Sequence, residues 1–433
     1  MNKPSAPASL ARDASPKKVG SLRRFFSVLG PGVTTGAADD DPSGIATYSI
    51  AGAQLGTSLL WTAFLTWPLM AAVQLTCARI GMVTGRGLAG ALKKRFPRWL
   101  LVPAALALFL ANTINVAADL AGMADAGEML FGWNSHYLVV VFGVGIAWAT
   151  IRLQYYQISG ILKWLALTLF AYVATAVYLQ PDWLAVLRDA FVPSLPKGRE
   201  AWQTLVAILG TTISPYLFFW QASQEVEEEK AAGRLYLAQR RGATGREIAD
   251  RRLDVGVGTF FSNIVMFFII LTTALTLHRH GVTHPQTSRE VAEALQPLGG
   301  RFAQVLYTTG LIGVGLLAIP TLSGSAAYAF AEIFGWKQGL DQKFDKARYF
   351  YIVVIASTVL GIFLDFTGVN AVSALYWSAI LNGLLAPFLL VGILLVASNR
   401  KIMEGQPVPS GVRLLLWITC ILMFGAATGM FLF

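Results

Sequence analysis

Three consecutive carboxylates, Asp39, Asp40 and Asp41, interrupt an apolar stretch and are followed at once by Pro42, Ser43 and Gly44. Carboxylates are hard oxygen donors, and a group of them inside a membrane span calls for a cation. Protonation of one of them is the other way to relieve the repulsion, because neighbouring like charges raise a pKa. Pro42 removes a hydrogen-bond donor and clashes with the preceding turn, while Ser43 and Gly44 permit non-helical backbone. The run from Gly30 to Ile45 therefore reads as a helix broken in its middle. A second break is written between Ile208 and Leu217, where Gly210, Thr211, Thr212, Ser214 and Pro215 cluster. Non-helical backbone at membrane depth is tolerated only inside protein or beside a cavity, and unwound carbonyls there coordinate cations. Proline kinks alone would explain both breaks but not the carboxylates.

Other polar residues suggest a route to such a site. Asn112, Asn115 and Asp119 fall at i, i+3 and i+7, on one face of a helix, with Asp125 beyond them. They would form a polar lane; for the asparagines, hydrogen bonds to neighbouring helices are the plainer alternative. His278, His280 and His284 could hold a metal by spacing, although an exposed loop suits them better. Cys77 and Cys420 lie in or beside apolar runs and build neither a disulfide framework nor a zinc motif.

Positioning such breaks takes a membrane. Of the 433 residues, 55% are hydrophobic and 13% charged, with a mean hydropathy of +0.56; a soluble domain carries about a quarter charged residues. An all-α integral membrane fold follows, with about eleven spans. They fall near 28–54, 57–80, 99–130, 137–152, 161–179, 201–224, 255–277, 302–331, 349–366, 371–397 and 412–432. The first, third, sixth and eighth carry polar residues, and the others read as packing or lipid-facing helices. The net charge of +10 comes from short segments between spans, which argues for topology rather than nucleic-acid binding. Arg23 and Arg24, the segment from Arg86 to Arg98, that from Arg240 to Arg252, that from Lys337 to Arg348, and Arg400 with Lys401 all fall on one side of an eleven-span chain. That side is expected to be cytoplasmic, with the N-terminus inside and the C-terminus outside. Residues 1–25 read as a disordered cytoplasmic tail without the apolar core of a signal peptide, and 225–252 as a solvated, partly helical linker. Residues 26–403 form a core of two repeats, about 26–180 and 200–403, and 404–433 add one more span. Breaks at corresponding places in two five-helix halves point to an inverted-repeat transporter.

At these residues the chain resembles the natural resistance-associated macrophage protein (Nramp) family of divalent metal transporters. The resemblance is carried by Gly30-Pro31-Gly32, Asp41-Pro42, Gly52-Ala53-Gln54 with Ser58-Leu59-Leu60-Trp61, and Ala78-Arg79 through Val83-Thr84-Gly85-Arg86. Ala118-Asp119-Leu120-Ala121 and Ser398-Asn399-Arg400-Lys401 extend it to about Met403. It implies a LeuT-type fold of two inverted five-helix repeats, broken in helices one and six. It also implies a metal site of Asp41, the carbonyls of Ala38 and Thr211, and the side chain of Ser214. Ser43 is a further hydroxyl, and Asp39 and Asp40 are additions of this sequence that would attract a hydrated ion or carry a proton.

The departures from the family are specific. Its Asp-Pro-Gly-Asn motif reads Asp41-Pro42-Ser43-Gly44 here, so the asparagine ligand is missing; its Met-Pro-His motif reads Ser214-Pro215-Tyr216, which replaces a soft sulfur by a hydroxyl. An all-oxygen site suits Mg²⁺ or Mn²⁺. Gly122 stands where the family has a glutamate after the span-three aspartate, and Tyr216 and Gln221 stand for two histidines, which weakens any proton relay; Asp119 and Glu225 remain. The sequence therefore predicts a divalent cation transporter of doubtful proton coupling, in a bacterial inner membrane. Its partners would be the transported ion and the lipid bilayer, with no cofactor, and the chain is taken as a monomer. The alternative is a LeuT-type carrier of an organic solute such as an amino acid, with Tyr216, Phe218, Phe219 and Trp220 lining its cavity. An enzyme is not expected, because the spans hold neither histidine nor an HExxH spacing.

Overall fold

The computed structural model describes residues 30–153, 165–194 and 198–433. The expected tail and part of the fifth expected span lie outside them. Among the described residues every regular element is helical. The first expected span is two helices, α1 (Pro31–Asp39) and α2 (Pro42–Leu55), followed by α3 (Trp61–Thr84), the short α4 (Leu88–Leu92), α5 (Arg98–Phe131) and α6 (Ser135–Arg152). Next come α7 (Phe170–Tyr178) and α8 (Trp183–Phe191). The sixth span is again two helices, α9 (Arg199–Thr212) and α10 (Pro215–Ala231). Then follow α11 (Gly245–Leu275), α12 (Ser288–Ala292), α13 (Gly300–Phe334), α14 (Arg348–Asp365), α15 (Ala371–Ala397) and α16 (Ser410–Leu432).

Nine helical segments among the described residues are long and apolar enough to cross a membrane, with α9 and α10 counting as one. The expected count of eleven rests further on the first span, whose halves are each short, and on the fifth, of which only 165–179 is described.

Both prolines act as the sequence suggests, and they also start something. Pro42 and Pro215 are the first residues of α2 and α10, with Asp41 and Ser214 as their N-caps. The missing amide costs nothing there, and the fixed φ favours a helix start. Small residues bring the broken helices against their supports. A Cβ on Gly36 would stand 2.5 Å from the carbonyl oxygen of Gly258, so α1 touches α11 backbone to backbone. A Cβ on Gly210 would stand 2.3 Å from the amide of Gly383, fixing α9 on α15 in the same way.

Among the described residues, the basic segments 86–98 and 240–252 meet the turn after α15 at one end of the bundle. Lys94 and Arg241 both approach Glu404, Arg240 donates to the Gly85 carbonyl, Lys93 Nζ donates to the Ile333 carbonyl, and Gln406 exchanges hydrogen bonds with Ala243. At the opposite end, His136 meets Asp365, Asp125 accepts from the Ser288 amide, and Asn370 donates to the Gln286 carbonyl. The segment 225–252, expected to be a solvated, partly helical linker, is helical at its two ends and mostly exposed or half-buried in between. α10 runs to Ala231 and α11 starts at Gly245, and within them Glu225 and Asp254 are buried. Their burial is accounted for by Arg251, which pairs with both.

Candidate cation site between two interrupted helices

α1 ends at Asp39, the chain turns at Asp40, and α2 begins after Asp41. All three carboxylates are buried, and they do not face the same way. Asp41 Oδ1 accepts from the Gly44 amide at 2.7 Å, capping α2. Its Oδ2 accepts from Asn115 Nδ2 of α5 at 3.2 Å and stands 3.3 Å from the Tyr216 hydroxyl of α10. That hydroxyl donates to the Ala38 carbonyl at 2.9 Å. One proton on Tyr216 thus bridges the two oxygens assigned to the ion, Ala38 O and Asp41 Oδ2.

The other expected ligands ring this point unevenly. The Thr211 hydroxyl would lie 3.3 Å from a Cβ on Gly44, which brings the end of α9 against the first turn of α2. Ser214 Oγ donates back to the Gly210 carbonyl at 2.8 Å, leaving its lone pairs as acceptors. Ser43 points elsewhere: its hydroxyl is within 3.0 Å of Asn115 Oδ1 and of the Leu375 carbonyl, and 2.6 Å from Ser378 Oγ. It ties α2 to α5 and α15.

Asp39 and Asp40 turn toward α11. Ser262 Oγ stands 2.6 Å from Asp39 Oδ2 and 3.2 Å from Asp40 Oδ1. Asp39 Oδ1 is buried without a partner. Asp119 is also fully buried, and neither of its oxygens makes a hydrogen bond of good geometry, although the Ser43 amide faces it. Among the described residues no basic side chain pairs with any of these four carboxylates. Buried carboxylates without counter-charge are costly, and a hard cation or protons relieve that cost.

The polar lane divides. Asn115 reaches the site, but Asn112 Nδ2 donates to the Leu322 carbonyl and Ser325 Oγ of α13, both at 2.8 Å, which is helix-to-helix bonding. Asp125 lies at the far end of α5 on the Ser288 amide. Toward the basic end, Thr35 Oγ1 donates to Gln221 Oε1 and Gln221 Nε2 donates to Glu225 Oε1, both at 2.7 Å. Glu225 then pairs with Arg251 at 2.8 Å. The three loop histidines take separate partners, His278 the Ala53 carbonyl, His280 that of Thr276, and His284 the Gln54 amide. They do not converge on one point.

Sequence reasoning passed over Ser262, Asp254 and Ser378. Span seven was expected to be a plain packing helix, yet α11 supplies Ser262 to the carboxylates and Asp254 to the start of α1. The polar pair Ser262-Asn263 inside an apolar run was the available signal. Ser378 carried none, since a single serine is common in membrane helices.

The fold and site define a polytopic membrane protein of LeuT-type architecture, with a carboxylate-lined gap where two helices are interrupted. The chain belongs to the natural resistance-associated macrophage protein-like (Nramp) family, whose model matches residues 32–432. It is 27% identical over 405 residues to a protein named divalent metal cation transporter MntH from Yersinia pestis, covering 88% of this chain and 89% of that one. The MntH of Caldanaerobacter subterraneus is 25% identical over 401 residues, covering 88% and 87%. Among solved structures, the Eremococcus coleocola manganese transporter superposes with a TM-score of 0.75 at 18% identity, over 95% of this chain and 87% of its own. MhsT in complex with L-phenylalanine superposes with a TM-score of 0.55 at 14% identity, over 92% and 98%. These two likenesses speak to the fold. Family membership agrees with the expectation of a carrier rather than an enzyme.

Proposed function

We propose that the protein carries a hard or intermediate divalent cation, Mg²⁺ or Mn²⁺, across a bacterial inner membrane, with Asp41 as the principal ligand. The observation that carries this reading is the bridge of the Tyr216 hydroxyl between Ala38 O and Asp41 Oδ2. A hydroxyl proton there holds together two electron-rich oxygens from either side of a helix break, and an ion binding at the break takes over that role. The carbonyl of Thr211 and the Ser214 hydroxyl complete an oxygen set to which water adds, as suits Mg²⁺. The MntH relatives, named for divalent metal transport, support the substrate class; the carboxylates and hydroxyls at the break support a harder ion. The basic end is assigned to the cytoplasm by its Lys and Arg content, and the chain is taken as a monomer. An organic solute is less well served. Tyr216, Trp220 and Phe218 with Phe219 belong to three separate apolar clusters.

Proteoliposome uptake of Mn²⁺, with Mg²⁺ and Ca²⁺ as competitors, tests the assignment. Saturable uptake is expected in the wild type, and Asp41→Asn is expected to lower it by about a hundredfold or more, beyond what is usual for loss of an outer-shell partner. Equal uptake by the two proteins would remove Asp41 from the ligand set.

A further inference from the structure

We propose that the break in the first span holds a second divalent-cation site, built by Asp39, Asp40 and Ser262 on the side opposite Asp41. The proposal rests on the reading that the protein binds divalent cations, and concerns where a second ion sits.

The three carboxylates are divided between two walls. Asp41 is committed to its own side: one oxygen caps α2 through the Gly44 amide, and the other faces Asn115 and Tyr216. Asp39 and Asp40 instead close on α11, where one hydroxyl oxygen lies 2.6 Å from Asp39 Oδ2 and 3.2 Å from Asp40 Oδ1. Ser262 has a single proton, so it satisfies at most one of the two carboxylates at a time. Asp39 Oδ1 is left buried with no partner at all, at 0% exposure. That is an acceptor without a donor, and no basic side chain among the described residues pairs with either aspartate. The Tyr48 hydroxyl makes no hydrogen bond of good geometry and has these carboxylates and Thr211 as its polar neighbours.

Helix polarity adds to this. Asp39 and Asp40 close the C-terminal end of α1, where unsatisfied carbonyls carry partial negative charge. Two carboxylates and a serine hydroxyl form an all-oxygen donor set with a charge of −2. A divalent ion with hard-ligand preference neutralises it, and water fills the remaining coordination positions. The ion at Asp41 would then touch α5 and α10, and the ion at Asp39 and Asp40 would touch α11.

The test counts ions. The full chain in lipid nanodiscs is titrated with Mn²⁺, free ion being read by electron paramagnetic resonance, with Mg²⁺ as competitor. Two Mn²⁺ per chain are expected for the wild type, and both should yield to Mg²⁺. Ser262→Ala, which leaves every charge in place, and Asp40→Asn should each weaken one ion by about tenfold or more and spare the other. Asp41→Asn should lose the complementary ion together with transport. If Asp40→Asn does not fold, Ser262→Ala decides. A wild type that binds one ion, lost in Asp41→Asn and unchanged in Ser262→Ala, overturns the second site and leaves the transport site standing. A wild type that binds no Mn²⁺ overturns both.

Discussion

The Tyr216 hydroxyl stands on ground that a cation at the proposed site would have to share. It donates to Ala38 O at 2.9 Å while standing 3.3 Å from Asp41 Oδ2, so an ion bridging those oxygens breaks its hydrogen bond. A neutral hydrogen bond contributes about 1 kcal/mol net, roughly a fivefold change in an equilibrium. Tyr216→Phe is therefore expected to bind Mn²⁺ about fivefold more tightly in a titration, because the ion no longer displaces a donor. Weaker binding would instead make the phenolic oxygen a ligand. Gly44, at the place of the family's asparagine, has a related logic. A Cβ there would lie 3.2 Å from the Asp39 carbonyl and 3.3 Å from the Thr211 hydroxyl, so the break has closed over the space that a side chain would need. At this scale the sequence was half legible. Asp41 and its proline were readable because a carboxylate within a span is costly and is rarely kept there without a function. Which wall each aspartate faces was not readable, because side-chain direction follows no period once the helix ends. Asp40 has ψ near 47°, outside the α-helix.

The first half of the broken helix is held by its start. Asp254 of α11 accepts from the amides of Gly30 and Val33 through Oδ1, at 2.8 and 3.1 Å, and from Gly32 through Oδ2 at 2.8 Å. These are orphan donors of a helix N-terminus, and a carboxylate there also answers the helix dipole. Arg251 keeps that carboxylate in place while pairing with Glu225 and Glu228 of α10. α1 is thereby clamped to α10 and α11 at the basic end, while Gly36 and Gly258 bring its backbone against α11. Hydrogen bonds to a charged group contribute about 1.5–3 kcal/mol, which is tenfold or more in an opening equilibrium. In Asp254→Asn, a cysteine placed by Ala37→Cys should react with a thiol reagent about tenfold faster than in the parent. Both native cysteines are buried, which keeps the background low. An unchanged rate would show that helix contacts alone hold α1. The breaks were legible in sequence, since proline and glycine act locally. The clamp was not: its partners are more than two hundred residues apart, and Asp254 sits among arginines that read as a charged linker.

Among the described residues, two side chains that do not titrate, Thr35 and Gln221, stand between the break and Glu225. On the route from the break to the basic end, Thr35, the Gln221 amide and Glu225 follow one another. Neither Thr35 nor Gln221 titrates in the physiological range, and Glu225 is already paired with Arg251. On α5, Gly122 replaces the family's glutamate, and the space is filled: a Cβ there would stand 2.9 Å from Leu375 Cδ1. Asn112 bonds to α13 rather than extending a lane. The basic segments were assigned to one side from charge alone, and the meeting of 86–98 and 240–252 at one end agrees with that, because topology is set by short-range composition. The expectation of doubtful proton coupling came only from the family's missing residues, since hydrogen bonds made by an amide leave no pattern in a sequence. We propose that a carrier built this way moves its ion down the electrochemical gradient without a compulsory proton. In proteoliposomes with the voltage clamped, Mn²⁺ uptake is expected to leave an entrapped pH dye unchanged, and an imposed pH gradient should not accelerate uptake. Acidification in step with Mn²⁺, abolished in Asp119→Asn, would mean that Asp119 passes protons past Gln221 by a route through water, and coupled transport would replace the uncoupled reading.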